Sequence, residues 1–435
     1  MKMEDAVTDK KAPKRCGDDF NLTWLNCRGG SFAPRLRAEM NKVGVEGYAA
    51  ELMTAKGEFF ALRAERLAAP AANILKQEFL SKGGECAVHP QVILGGPAAS
   101  AAVMLATKRQ YQLICAGLKR QQFGLPLLAE EIEQGIRNIG RESWEIPLAD
   151  GRTLNLSTAT QIMGILNVTP DSFSDGGSYE DVEQAVCRAR QMLSEGALII
   201  DVGGESTRPG HIQISEDEEI SRVVPVIRAL KAETDAVISV DTYKPTVARA
   251  ALAAGADIIN DIWGLQAPTD EQHEMAQLAA EFGCPVIVMH NRSEAVYGGR
   301  AAGWGENIPE NIRTDVMSDV AHFFRTSRKI ARAAGMNDEQ LIFDIGFGFG
   351  KTPEQNMEIL AQTAALRILG RPLLVATSRK STLGLLTGRA VDERIYATAA
   401  TTAAAAMQGA ALVRVHDLPE ALDVIRVCRP IYLNR

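Results

Sequence analysis

From Gln161 onward the chain alternates short β-branched runs with longer stretches whose apolar positions recur at helical spacing, the pattern of βαβ units around a parallel sheet. The runs predict strands at Ile162 to Asn167, Leu198 to Val202, Val237 to Asp241, Asp257 to Asn260, Val286 to His290, Leu341 to Asp344, Leu373 to Ala376 and Leu412 to Val415. The stretches between them carry helix start signals: Ser215 ahead of EDEE, Pro245 in KPTVARAALAAG with its closing Gly255, and Pro353 opening PEQNMEILAQ. Eight such units predict an α/β fold, a (β/α)8 TIM barrel, whose usual size is about 250 residues.

The first 150 residues read differently. Runs at Phe59 to Leu67, Cys86 to Leu94 and Val103 to Leu113, with helices at Ala71 to Gly83, Ala116 to Arg120 and Leu125 to Ile139, predict a smaller α+β domain over 41–150. Residues 1–40 read as a flexible tail, and 151–435 as the barrel. The segment LGGPAAS, Leu94 to Ser100, has too short a glycine cluster for a phosphate loop and reads as a turn.

Chemically unusual residues fall at or just past the C-terminal ends of the predicted strands: Asn167, Asp201, Asp241, Asn260, Met289, Asp344, Ser378 and Arg414. That end of a (β/α)8 barrel is where the loops converge and chemistry occurs. Composition adds exclusions. A net charge of -7 argues against a nucleic-acid partner, though a local basic pocket for a small phosphate is compatible with it. Seven widely spaced cysteines form no CxxC pair and read as reduced cytoplasmic thiols. The N-terminal MKMEDAVTDKKAPKRC leads into no apolar stretch, so it does not read as a secretory signal. The Ala-rich run Ala397 to Val413 is broken by Thr and Gln, which suits a packed helix and strand rather than a membrane span.

Four groups of residues carry candidate chemistry. In MGILNVTPDSFSDGG, Asn167 offers a carbonyl oxygen to a hard cation, and the Gly pair after Phe173 and Asp175 lets the loop fold over a ligand. DVGGESTRPG supplies Thr207 and the guanidinium fork of Arg208, suited to phosphate oxygens, followed by Pro209. SVDTYKP, ADIINDIWG and FDIGFGFGK place Asp241, Asn260 and Asp344 on one rim, where carboxylates and an amide suit a heterocycle with a guanidine-like edge. ATSRKS and LVRVHD add Lys380, and Arg414 with His416 on one face of the last strand.

In this order the strings resemble dihydropteroate synthase over roughly Met163 to Val427, with MGILNVTPDSFSDGG and GGESTRPG the most specific. The resemblance implies an enzyme that joins 6-hydroxymethyl-7,8-dihydropterin pyrophosphate to 4-aminobenzoate, releasing pyrophosphate, with magnesium, as a cytoplasmic homodimer. It implies that Asp241, Asn260, Asp344 and Lys380 surround the pterin, with Met289 also lining the substrate site. Thr207, Arg208, Arg414 and His416 would hold the pyrophosphate, and Asn167 the magnesium. Loops bearing Phe173, Asp175, Pro209, Phe349 and Ser381 would close over the aminobenzoate. Ile345 stands where the family usually has Pro, and Ala376 where it commonly has Gly. Two other readings remain open: a pterin-dependent methyltransferase barrel, for which Arg208, Arg414 and His416 would have no use, and a non-catalytic pterin-binding protein with the N-terminal domain as its output.

Overall fold

Which side of each barrel strand faces inward is decided by sequence parity, and in the computed structural model the two sets of alternating residues enter two separate cores. The structure describes residues 32–168, 179–205, 213–292 and 315–433. Eight parallel strands close on themselves: β6 (Gln161–Asn167), β7 (Ala197–Gly203), β8 (Val237–Asp241), β9 (Ile258–Asp261), β10 (Val286–Met289), β11 (Leu341–Asp344), β12 (Leu373–Val375) and β13 (Leu412–Val415). Each pairs with its sequence neighbours, and β13 closes on β6 with Val413 beside Ile162.

Ile200, Val202, Ile238, Val240, Ile259, Val286, Val288, Phe343, Val375, Val413 and Val415 face outward into the helix-packed core. Met163, Ile199, Ile258, Ile287, Ile342, Leu374 and Leu412 join a distinct inner cluster. Two residues further along the same parity, the inner positions become Asp201, Asn260, Met289, Asp344 and Arg414. The barrel lumen is therefore apolar at its N-terminal end and polar at its C-terminal end.

The apolar end is covered by an antiparallel hairpin, β4 (Ser143–Pro147) and β5 (Thr153–Ser157), whose Trp144, Ile146, Leu154 and Leu156 complete the inner cluster. Trp144 is 2% exposed and its indole N–H donates to the Gly370 carbonyl at 3.0 Å. From the hairpin loop Arg152 donates to Asp257 at 2.7 Å, and Asp257 in turn accepts from Lys231 and from the Ile238 amide. The 150/151 division read from the sequence falls inside this hairpin, so the floor of the barrel begins before it.

The N-terminal unit is a three-stranded antiparallel sheet in the order β1 (Phe59–Leu67), β3 (Ser100–Thr107), β2 (Glu85–Val88), with helices Ala69–Ser81, Lys108–Leu118 and Leu125–Ile139 enclosing a core around Leu75, Phe79, Met104, Tyr111 and Ile114. Two predicted runs are shorter than expected. The run to Leu94 stops at Val88 because Pro90 opens a 3-10 turn. The run to Leu113 stops at Thr107, which caps the next helix in a reciprocal pair with Gln110. Helix Phe32–Lys42 occupies part of the segment read as a tail. The unit docks on the barrel flank, where Asn138 donates to the Ile368 carbonyl at 2.9 Å and Arg63 pairs with Asp315. Among the described residues Cys86, Cys115, Cys187, Cys284 and Cys428 are free thiols. No described helix is long and apolar enough to cross a membrane.

Candidate active site

At the polar end, inward parity brings strand-end side chains from different strands onto one another. The Arg414 guanidinium lies between two carboxylates: Nε donates to Asp201 Oδ2 at 2.5 Å and Nη2 to Asp241 Oδ2 at 2.6 Å. Asn260 Nδ2 donates to the same Asp201 oxygen at 3.1 Å. Although burial works against its charge, Asp201 and Asp241 hold the guanidinium more firmly protonated than an ordinary arginine. Burial pushes the Asp241 carboxyl up to about 7 while Arg414 pulls the other way, and burial also raises Asp344.

The second oxygens of both aspartates, Asp201 Oδ1 and Asp241 Oδ1, are buried and have no hydrogen-bond partner among the described residues. A buried carboxylate oxygen without a donor is costly, so the site is under-supplied with N–H groups. Asn167 belongs to the same space: a Cβ placed on Gly203 would meet Asp241 Cβ at 3.5 Å and Asn167 Oδ1 at 3.8 Å. Glycine at 203 keeps that space open.

The loop after β11 is fastened from below. Asp344 Oδ1 accepts from the Gly346 amide at 2.9 Å, and Gly346 has a φ of 65° with its α-carbon against the His290 carbonyl, where a side chain would collide. Lys351, only 2% exposed, donates to the carbonyls of His290, Gly346 and Phe349 at 3.3, 2.7 and 3.1 Å. Burial lowers its pKa well below the usual lysine value. This fastening presents the Phe349 ring to Lys380, whose Nζ sits 4.2 Å from the ring centroid. Ile345 keeps the amide a proline would lack and uses it to donate to Leu374 O at 3.3 Å, while Ala376 packs into the inner core.

Beyond the next two strands, Ser378 Oγ lies 3.0 Å from His416 Nδ1 and accepts from the His416 amide at 3.2 Å. Ser381 Oγ is buried without a partner. The base of the loop after β7 is anchored by Glu205, which accepts from Lys244 Nζ at 2.5 Å; the same ammonium reaches Glu219 at 2.8 Å.

The structure thus gathers Asn167, Asp241, Asn260 and Arg414 directly, and seats Met289 and Asp344 at inward strand ends of the same mouth. Lys380, Phe349, Ser381 and His416 lie on the loops after β11, β12 and β13. Phe173, Asp175, Thr207, Arg208 and Pro209 lie outside the described residues. One expectation changes: Arg414 is not an open cationic arm but is engaged by two aspartates through Nε and Nη2, which among the described residues leaves Nη1 for a ligand. Asp201 carries this change. It was visible as a strand-end residue, but its partner sits across the lumen and no spacing along the chain shows that. The fastenings by Lys351 and Glu205 had no sequence signal beyond their place beside glycine-rich loops.

Comparison with known proteins follows this geometry. Residues 163–416 match the pterin binding enzyme family. The chain is 46% identical over 270 residues to the dihydropteroate synthase of Clostridium beijerinckii, a match covering 62% of this chain and 93% of that protein. It is 41% identical over 364 residues to a probable bifunctional folylpolyglutamate synthase/dihydropteroate synthase of Haloferax volcanii, covering 82% of this chain and 41% of that protein. The longer match exceeds the barrel and reaches into the N-terminal unit. Among solved structures, the dihydropteroate synthase of Clostridium difficile, crystallised in the presence of pteroic acid, is 42% identical, with a TM-score of 0.56, and covers 63% of this chain and 97% of that one.

Proposed function

The chain belongs to the pterin-binding enzymes, as a dihydropteroate synthase of folate biosynthesis, and on that premise we propose how its own residues carry out the condensation. The substrates are 6-hydroxymethyl-7,8-dihydropterin pyrophosphate and 4-aminobenzoate; the products are 7,8-dihydropteroate and pyrophosphate. The observation that carries the assignment of roles is the pair of buried, unpartnered oxygens on Asp201 and Asp241. A pterin edge bearing an amino group and a ring N–H supplies the donors these oxygens lack, with Asn260 and Asp344 completing its surround and Met289 against its face.

The exocyclic carbon–oxygen bond then breaks and its electron pair leaves with the diphosphate. The carbon left behind is electron-poor, and the carboxylates around the ring favour that charge. The 4-aminobenzoate nitrogen donates its lone pair to this carbon, and its surplus proton passes to solvent. No covalent enzyme intermediate is required. Arg208 and Arg414 Nη1 offset the charge of the departing diphosphate, and Thr207 and His416 donate hydrogen bonds to it. Lys380 and Phe349, stacked on one another, wall the site, and the loops with Phe173, Asp175, Pro209 and Ser381 close over the aminobenzoate.

Magnesium fits this arrangement through one side chain. Asn167 places a neutral hard oxygen beside Asp241, above the gap at Gly203. Asn167 is the residue that would hold the ion, through its side-chain carbonyl oxygen. When bound it would offset charge on the leaving group. A cytoplasmic homodimer completes the reading. It is supported by the exposed Tyr396 and Ile431 on the late barrel helices Ile395–Met407 and Leu418–Leu433, and light scattering in solution tests it.

Following pyrophosphate release while titrating the purified chain with the pterin pyrophosphate tests the central reaction. Release that requires 4-aminobenzoate is expected. Binding without release would make the chain a pterin-binding protein that does not catalyse.

A further inference from the structure

The turn after β12 and the end of β13 are held together by two consecutive residues on each side. Ser378 grips His416, and Arg379 grips Asp417, donating from Nε at 3.0 Å and from Nη2 to the other carboxylate oxygen. Arg379 adopts a φ of 56°, a conformation a non-glycine residue takes only when its surroundings impose it. The surroundings are specific: its amide donates to Thr398 Oγ1 at 3.1 Å and its carbonyl accepts from Arg394 Nη1 at 3.0 Å. The backbone is thus fixed so that the Ser378 hydroxyl faces the imidazole.

The protons in this clip can be assigned by counting donors. The His416 amide can only donate, so Ser378 Oγ accepts that bond at 3.2 Å. Ser378 is 6% exposed, and among the described residues the acceptor within reach of its own O–H is His416 Nδ1 at 3.0 Å. If Nδ1 carried hydrogen instead, Oγ would accept twice and its buried O–H would have no acceptor, at a cost of about 1–3 kcal/mol. The imidazole is therefore neutral at Nδ1 and carries its hydrogen on Nε2, at the far edge of the ring.

We infer that Ser378 is a positioning residue that holds His416 as the Nε2–H tautomer, so that the imidazole offers the departing diphosphate an N–H without first being protonated. The role in turnover rests on the proposed placement of diphosphate at His416; the tautomer itself does not.

Two measurements separate these. In the full-length chain with 15N-labelled histidine, the signals that vanish in His416→Gln identify His416 among the six histidines. Wild type should show Nε2 protonated and Nδ1 bare, and Ser378→Ala should show a mixture of both tautomers. Loss of one hydrogen bond predicts roughly a tenfold fall in kcat for Ser378→Ala. The KM for 4-aminobenzoate should be little changed, Ser378→Thr should recover most of the rate, and adding Ser378→Ala to His416→Gln should cost nothing further. A wild-type His416 protonated at Nδ1, or an unchanged tautomer in Ser378→Ala, overturns the inference. So does a further loss in the double variant, which would mean Ser378 acts other than through His416. A shifted tautomer with unaltered affinity for inorganic pyrophosphate upholds the positioning by Ser378 and overturns the placement of diphosphate at His416.

Discussion

The two ends of the same eight strands are built by opposite rules. At the floor, the inward residues Met163, Ile199, Ile258, Ile287, Ile342, Leu374 and Leu412 are apolar and pack against the hairpin residues Trp144, Ile146, Leu154 and Leu156. At the mouth, two positions along the same strands, aspartates are buried with oxygens that no donor among the described residues reaches. The floor is closed by apolar contact within the chain, whereas the mouth holds buried carboxylate oxygens that a ligand can complete. Stability and recognition are thus separated along one axis, and a substitution at one end should leave the other largely untouched.

The sharpest break is Trp144→Ala, which empties the centre of the floor and removes the bond to Gly370. It should cost about 3–5 kcal/mol of stability in urea unfolding, with little change in KM for either substrate. A large rise in KM at full folding would show that floor and mouth are coupled. The converse variant, Asp241→Asn, keeps the shape but removes the charge. Calorimetric titration with the pterin pyrophosphate should show a loss of about 2–5 kcal/mol in affinity, while the midpoint of unfolding changes by less than that. Equal losses in both would mean that the mouth is built like the floor.

His290 sharpens the boundary, because it lies just past β10 at the mouth yet is buried as deeply as the floor. Burial first, then the neighbouring Lys351, lowers its pKa to about 3, against the contact with Asp319. The folded value lies below the unfolded one, so its stabilising contribution is full above the unfolded pKa of about 6.5 and is lost as pH falls from there toward 3. At pH 5 the loss is roughly 2 kcal/mol. His290→Gln should therefore flatten the fall in melting temperature between pH 7 and pH 5; an identical slope in the variant would remove His290 from the account.

Much of the barrel could be read from residue pattern because each strand's outer face is a run of β-branched side chains. Val237–Asp241, Leu341–Asp344 and Leu412–Val415 fall where the pattern puts them. Strand β9 begins one residue later than the pattern puts it, at Ile258, and Asp257 just before it uses its carboxylate to accept from Lys231, Arg152 and the Ile238 amide. The N-terminal unit was harder, since its element ends are set by local chemistry at Pro90 and Thr107 rather than by apolar periodicity. Within the site, residue types and strand ends were legible because inward parity is a property of sequence. The pairings of Asp201 with Arg414 and Ser378 with His416 were not, since they depend on how far the closed sheet carries one strand end toward another.

The covering hairpin also fixes where the chain can be cut. A truncation at 150/151 would sever β4 from β5 and let water into the lumen from beneath, so a dead product would say nothing about the first domain. A chain beginning at residue 140, just beyond helix Leu125–Ile139, keeps both hairpin strands and separates the catalytic unit from its neighbour without flooding it.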